Sequence, residues 1–177
     1  MADRPNSSVG QAPQARASNG MYRARAQILA AAAALVASGG LRALTMASLA
    51  RKSAVAKATV YNHFRDRDDA LQALLEAERN RLIAHCAAVP QDGRLVAAAR
   101  WLSESSVIGG LRRHDPAVLV SLADQALSES SVHDVVREWC APDGDPDAAL
   151  RWLVSFAVVP CVPGESGESA PGDQPRL

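Results

Sequence analysis

The stretch Thr45-Met46-Ala47-Ser48-Leu49-Ala50-Arg51-Lys52-Ser53-Ala54-Val55-Ala56-Lys57-Ala58-Thr59-Val60-Tyr61-Asn62-His63-Phe64 decides how the rest of the chain is read. It divides into two short helices around a tight turn. Thr45 stands as an N-cap, its hydroxyl able to accept from a backbone N–H that has no partner within the helix. A helix follows from Met46 to Lys52, with Leu49 and Ala50 turned inward. Ser53-Ala54-Val55 supplies the turn, a second helix runs from Ala56 to His63, and Phe64 closes it as an apolar plug. Leu49, Ala50, Val55, Val60 and Phe64 are assigned to the core of this unit.

Upstream, Ile28, Ala32, Leu35 and Val36 fall at i, i+4, i+7 and i+8, one face of a helix over Tyr22–Ser38. Gly39-Gly40 ends that helix and Leu41–Leu44 make a short connection. Residues 1–20 are rich in Pro, Ser, Gln, Gly and Ala without a period, and are expected to form a disordered arm. Arg16, Arg23 and Arg25 are basic groups in or beside that arm that could touch phosphate. Downstream, Asp66 caps a long helix from Arg67 to about Ala88. Asp68 and Asp69 lie in its first turn, where the helix dipole favours negative charge.

Taken together, these features resemble the DNA-binding domain of the TetR family of bacterial repressors. The resemblance runs from about Arg23 to Leu75 and takes in the first helix, the glycine turn, the capping Thr45, the short helix ending Tyr61-Asn62-His63-Phe64, and the charged start of the next helix. It implies an all-α protein: an N-terminal three-helix helix-turn-helix domain, plus a C-terminal helical domain for ligand binding and dimerisation. The recognition helix of such a domain enters a major groove about 12 Å wide. Ala56, Ala58 and Thr59 are small enough to allow that approach, and Lys57 is the strong donor at the front. The resemblance implies base contacts around Lys57, Ala58, Thr59 and Asn62. It implies phosphate contacts from Thr45, Tyr61, His63 and Arg67, which set register without carrying sequence information. Two positions depart from the family pattern. Ala54 stands where a turn glycine is usual, and a left-handed Ala costs about 1 kcal/mol relative to Gly. Ala56 stands where Ser or Thr often precedes the recognition helix, a loss of roughly 1 kcal/mol in capping.

The formal net charge of zero conceals a division of charge along the chain. Met1–Cys86 carries twelve Lys/Arg against six Asp/Glu, and Ala87–Leu177 carries seven against thirteen. A basic front suits a polyanion such as double-stranded DNA. Cys86, Cys140 and Cys161 lie far apart with no CxxC and no His/Cys zinc spacing. The N-terminus lacks a signal-peptide core, and the longest apolar run, Ile28–Ala37, is mostly Ala and too short to span a bilayer. A cytoplasmic protein with reduced thiols, without membrane attachment, is expected. No phosphate loop, nucleophile elbow or convergent polar constellation occurs, so no enzyme activity, catalytic residue, metal ligand or cofactor is expected. Asp143, Asp145 and Asp147 alternate like a calcium loop, but Ala148 and Val154 replace the Gly and Glu such a loop requires.

The back half reads as further helices. Arg94–Ser105 comes first, then Gly109-Gly110 as a loop. Asp115-Pro116 opens a helix to Leu127, and Ser131 with Asp134 resembles a capping box opening a helix to Cys140. Asp145-Pro146 opens a last helix that is apolar nearly all round and reaches Val159, a pattern that makes it either central to its domain or, the favoured reading, shared with a partner. The expected organisation is an arm over 1–20, a DNA-binding domain over 21–66, an effector-binding and dimerisation domain over 67–160, and a disordered tail over 161–177. Trp101, Leu102 and Val107 are candidates for lining an effector pocket. So are Leu119, Leu122, Trp139 and Phe156. The expected function is a ligand-responsive repressor that binds a palindromic operator as a homodimer. The rival is a helical small-molecule-binding or protein-interaction module with only weak, non-specific DNA binding.

Overall fold

The computed structural model describes residues 12–160, with side chains from Gly20 onward. Every regular element among them is helical: α1 (Ala12–Gly39), α2 (Met46–Ser53), α3 (Lys57–His63), α4 (Arg67–Ala87), α5 (Arg94–Glu104), α6 (Ser106–His114), α7 (Pro116–Ser128), α8 (Ser130–Trp139) and α9 (Pro146–Val158), with short 3-10 turns at Leu41–Ala43 and Gln91–Gly93. The arm expected over 1–20 is thus helical from Ala12 onward. Ala, Gln and Arg are strong helix formers, and extending an existing helix costs far less than nucleating one. Pro13 lies in the first turn, where its missing N–H leaves no bond unmade. Residues 1–11 of that arm and the tail expected over 161–177, Cys161 included, lie outside the described residues.

Two apolar cores run side by side. The first gathers Ile28, Ala32 and Val36 of α1, Leu49 of α2, Val60 and Phe64 around α3, and Ala70 and Leu74 of α4. It also takes in Val107 and Leu111 of α6 and Leu119 of α7, so the division expected between residues 66 and 67 falls inside it. The second joins Cys86 at the end of α4 to Leu95, Ala98 and Ala99 of α5, Val136 and Trp139 of α8, and the inner face of α9. Helix α4 is about 32 Å long at 1.5 Å per residue, and its two ends serve different cores.

Helix α6 corrects the loop expected at Gly109-Gly110, both of which lie inside it. Its start is capped by Ser105, whose hydroxyl accepts from the Ile108 N–H at 3.4 Å. Gly110 is there for packing. A Cβ on Gly110 would lie 2.6 Å from the Ala37 Cα and closer still to the Val36 carbonyl oxygen, so α1 and α6 meet backbone to backbone. Polar bonds hold the same crossing. The Arg113 guanidinium donates to the Ala37 carbonyl at 2.9 Å, and the Leu41 N–H donates to the Asp115 carboxylate at 2.7 Å. Asp115, expected to cap α7, makes no cap bond there, because its carboxylate is engaged across the seam. Gly40, at φ 66°, leaves the room this carboxylate occupies.

One more expectation changes. Ser131 lies one residue inside α8 and donates to the Glu129 carboxylate, while Asp134 pairs with Arg137 at 2.6 Å, so they form no capping box. Most of the apolar surface of α9 is covered within the protomer, where Leu150, Trp152, Leu153, Phe156 and Ala157 are buried, while Val158 and Val159 at its end stay exposed. Its C-terminal carbonyls are held by Arg112 of α6, which donates to Ala157 at 3.0 Å and Phe156 at 3.2 Å. Asp145 does cap α9, accepting from Asp147 at 2.9 Å and Ala148 at 3.3 Å.

The two adjacent glycines give a paired test. Gly109→Ala meets only the end of the Arg113 side chain and is expected to stabilise by about 0.5–1 kcal/mol as an ordinary helix-interior replacement. Gly110→Ala is expected to destabilise by about 1–3 kcal/mol, because the clash is with backbone. Urea unfolding of both variants measures the difference.

Candidate nucleic-acid interface

Local bonds build the short-helix pair. The Thr45 hydroxyl accepts from the Ser48 N–H at 3.0 Å, and the Ser48 hydroxyl accepts from the Thr45 N–H at 2.9 Å while donating to the Ala43 carbonyl at 2.6 Å. This reciprocal box locks the start of α2 to the preceding turn. Leu49 and Val60, fully buried, fasten α2 and α3 to the first core. Ala54 ends α2 in the left-handed region, at φ 55° and ψ 25°, the conformation in which L side chains are strained. Ala56 precedes α3 with no side-chain cap bond.

The outer surface of α3 follows from Val60 facing inward. At about 100° per residue, Ala58 and Asn62 lie opposite Val60 and Lys57 and Tyr61 continue the same arc along one flank, and all four are exposed. The Lys57 ammonium lies 5.9 Å from the Tyr61 ring centroid, so cation and ring stand on one face. Thr59 and His63 are half-buried, toward the flank. Thr45 and Arg67 are exposed at the starts of α2 and α4. Arg67 is paired with its neighbour Asp68 at 2.9 Å, an exposed pair of the kind that contributes little. The structure therefore brings Lys57, Ala58, Tyr61 and Asn62 together and sets Thr59 and His63 to the side.

Further cations surround this unit. Arg42, Arg51, Lys52 and Arg65 are exposed; their only signal in the sequence is the basic excess of the front half. Arg25 lies over the Phe64 ring at 4.8 Å from its centroid, joining α1 to the end of α3. The Arg65 N–H donates to the Asp69 carboxylate at 2.9 Å, a bond that with the Arg65 charge holds this carboxyl below its ordinary range. The turn into α4 is fixed by this bond and by Asp66, which accepts from the Asp69 N–H at 2.8 Å.

The family model described as bacterial regulatory proteins, tetR family, matches residues 28–74. These residues form a tetR-family N-terminal helix-turn-helix domain. The match supports a DNA-binding transcriptional regulator. The matched residues run from Ile28 in α1 to Leu74 in α4, the span that builds most of the first core. No curated protein and no solved structure matches the chain. No described helix is long and apolar enough to cross a membrane.

Behind the tetR-family domain lies a cavity of about 500 Å³ bordered by α4 to α9. Trp101, Leu102 and Val107 line it, as do Leu119, Leu122 and Trp139. Phe156, named with them from the sequence, does not: it is buried and packs edge-on against Trp152 at 4.7 Å between centroids. Leu75, Leu82 and Ile83 of α4 contribute instead. They follow from the periodicity of α4, but only the fold shows which way that face points. Burial pushes the Cys86 thiol up to about 11, against a weaker opposing pull from Arg94, and burial likewise raises Cys140. Both thiols are therefore protonated and poorly nucleophilic.

The strained turn yields a direct expectation. Ala54→Gly is expected to stabilise the protein by about 1 kcal/mol without altering α3, as read by thermal unfolding. No gain would mean that Ala54 does not hold the left-handed conformation in solution.

Proposed function

We propose that residues 21–66 bind a palindromic operator as half of a homodimer, and that residues 67–160 receive a small-molecule effector that controls this binding. The observation that carries the DNA reading is the outer face of α3. A cation, a phenol and an amide stand there beside a small Ala58, on a helix fastened to a tetR-family domain. In this reading Lys57 and Asn62 reach base edges, with Ala58 and Thr59 allowing close approach. Thr45, Tyr61, His63 and Arg67 meet phosphates. Two copies about one helical turn of DNA apart would read twofold-related half-sites, which one short recognition helix cannot do. Exposed Val120 on α7 and Val158 and Val159 at the end of α9 offer apolar surface for the pairing.

Effector control is supported by the cavity and by the elements around it. Helix α4 lines the cavity with Leu82 and Ile83 and enters the first core with Ala70 and Leu74. Helix α6 lines it with Val107 and crosses α1 at Gly110. A ligand that displaces either helix changes the footing of α3, and through it the spacing of two recognition helices.

The test is fluorescence anisotropy on DNA from upstream of the protein's own gene, with scrambled competitor, at two salt concentrations. Specific binding about a thousandfold or more tighter than to the scramble is expected. Lys57→Ala and Tyr61→Ala are each expected to weaken it by about tenfold or more. Binding that is equal for both DNAs and lost at higher salt would favour the rival binding module.

A further inference from the structure

We propose that the cavity takes an amphiphilic monoanion, its hydrocarbon body in the apolar chamber and its carboxylate on the guanidinium of Arg79. This rests on the reading of the cavity as the effector site. The chamber walls are mostly hydrocarbon, with Leu82 and Ile83 of α4, Leu122 of α7, Val135 of α8 and Leu153 of α9 among them. An occupant must be apolar over most of its surface.

The polar groups at the wall differ in how firmly they are already held. Glu78 is mostly shielded, at 14% side-chain exposure, and pairs with Arg81 at 2.5 Å, so its charge is matched. Arg79 is held loosely. Its partner is Glu129 in the α7–α8 turn at 3.5 Å, the long limit of a hydrogen bond, with the two side chains 49% and 50% exposed. Glu129 has a closer partner in the Ser131 hydroxyl, and Ser131 also lines the cavity. A ligand carboxylate can therefore take Arg79 and leave Glu129 with Ser131 and solvent. The guanidinium fork matches a carboxylate with two parallel bonds. A cationic ligand finds Glu78 already matched by Arg81 and would have to draw Glu129 from both Arg79 and Ser131. Because Arg79 sits on α4, such a ligand replaces the bond between α4 and the α7–α8 turn with one of its own. Its arrival is thereby transmitted to the helix that reaches the tetR-family core.

The test titrates the full chain with decanoate, decanol and decyltrimethylammonium, three probes of one chain length and different charge. Intrinsic tryptophan fluorescence reports binding, since Trp101 and Trp139 line the chamber. Decanoate is expected to bind about tenfold or more tighter than the ammonium. Arg79→Gln should weaken decanoate about tenfold and leave decanol unchanged. Glu129→Gln should tighten decanoate, which a purely structural role for the pair would not produce. Leu122→Trp, which fills the chamber, should abolish all binding. If decanol binds in the chamber but decanoate has no advantage, or Arg79→Gln leaves decanoate untouched, the anion assignment is overturned and the effector site stands. If no probe binds, or binding survives Leu122→Trp, the effector-site reading fails with it.

Discussion

The crossing of α1 over α6 is the constraint on which the rest depends. With no side chain at Gly110, two helix backbones lie against each other, and dispersion contacts of that closeness leave little freedom to slide. Arg113 and Asp115 then bond to the end of α1 and the turn after it, so the same corner is fastened by packing and by charge-assisted hydrogen bonds. The orientation of α2 and α3 is inherited from α1 and the Gly40 turn. The orientation of the cavity wall is inherited from α6. One seam thus sets the two surfaces against each other.

Much of the N-terminal unit was legible because its decisive bonds are short in sequence. Thr45 meets Ser48 and Asp66 meets Asp69, each within a single helical turn, and the cap that Asp145 gives α9 is as local. The inward Val60 likewise follows from spacing alone, and it determines which side chains of α3 face out. What could not be read was settled by partners far along the chain. Asp115 carries every local mark of a helix cap, yet its carboxylate serves Leu41, 74 residues away. Gly109-Gly110 carries the local mark of a loop, and only the approach of Val36 and Ala37 shows why glycine is needed inside a helix there. The apolar circumference of α9 was plain, but not what covers it. α5, α7 and α8 pack on its inner residues and leave Val158 and Val159 exposed. Phe156 turns away from the cavity for the same reason, drawn to Trp152 by an edge-to-face contact.

The two departures from the family pattern look different once the geometry is known. Ala54 is strained, but its neighbours over-determine it: Leu49 is buried ahead of it and Val60 behind. Such strain persists when the surroundings leave no alternative. Ala56, lacking a hydroxyl, leaves the first N–H groups of α3 without a side-chain cap. Those donors and the positive end of the helix suit an anion.

Shared ownership of the first core has a consequence for the order in which the chain is made. A nascent polypeptide that has emerged only through α4 contains every residue matched to the family, 28–74, yet it lacks Val107, Leu111 and Leu119. Its apolar faces on α1 and α4 stay uncovered until translation has passed Leu119. The second core waits longer, for Phe156 near the end of α9. The DNA-binding unit is thus first in sequence but cannot be finished first by much. A ribosome stalled between α4 and α7 would hold a chain with exposed hydrocarbon, the kind of species that chaperones retain and proteases remove.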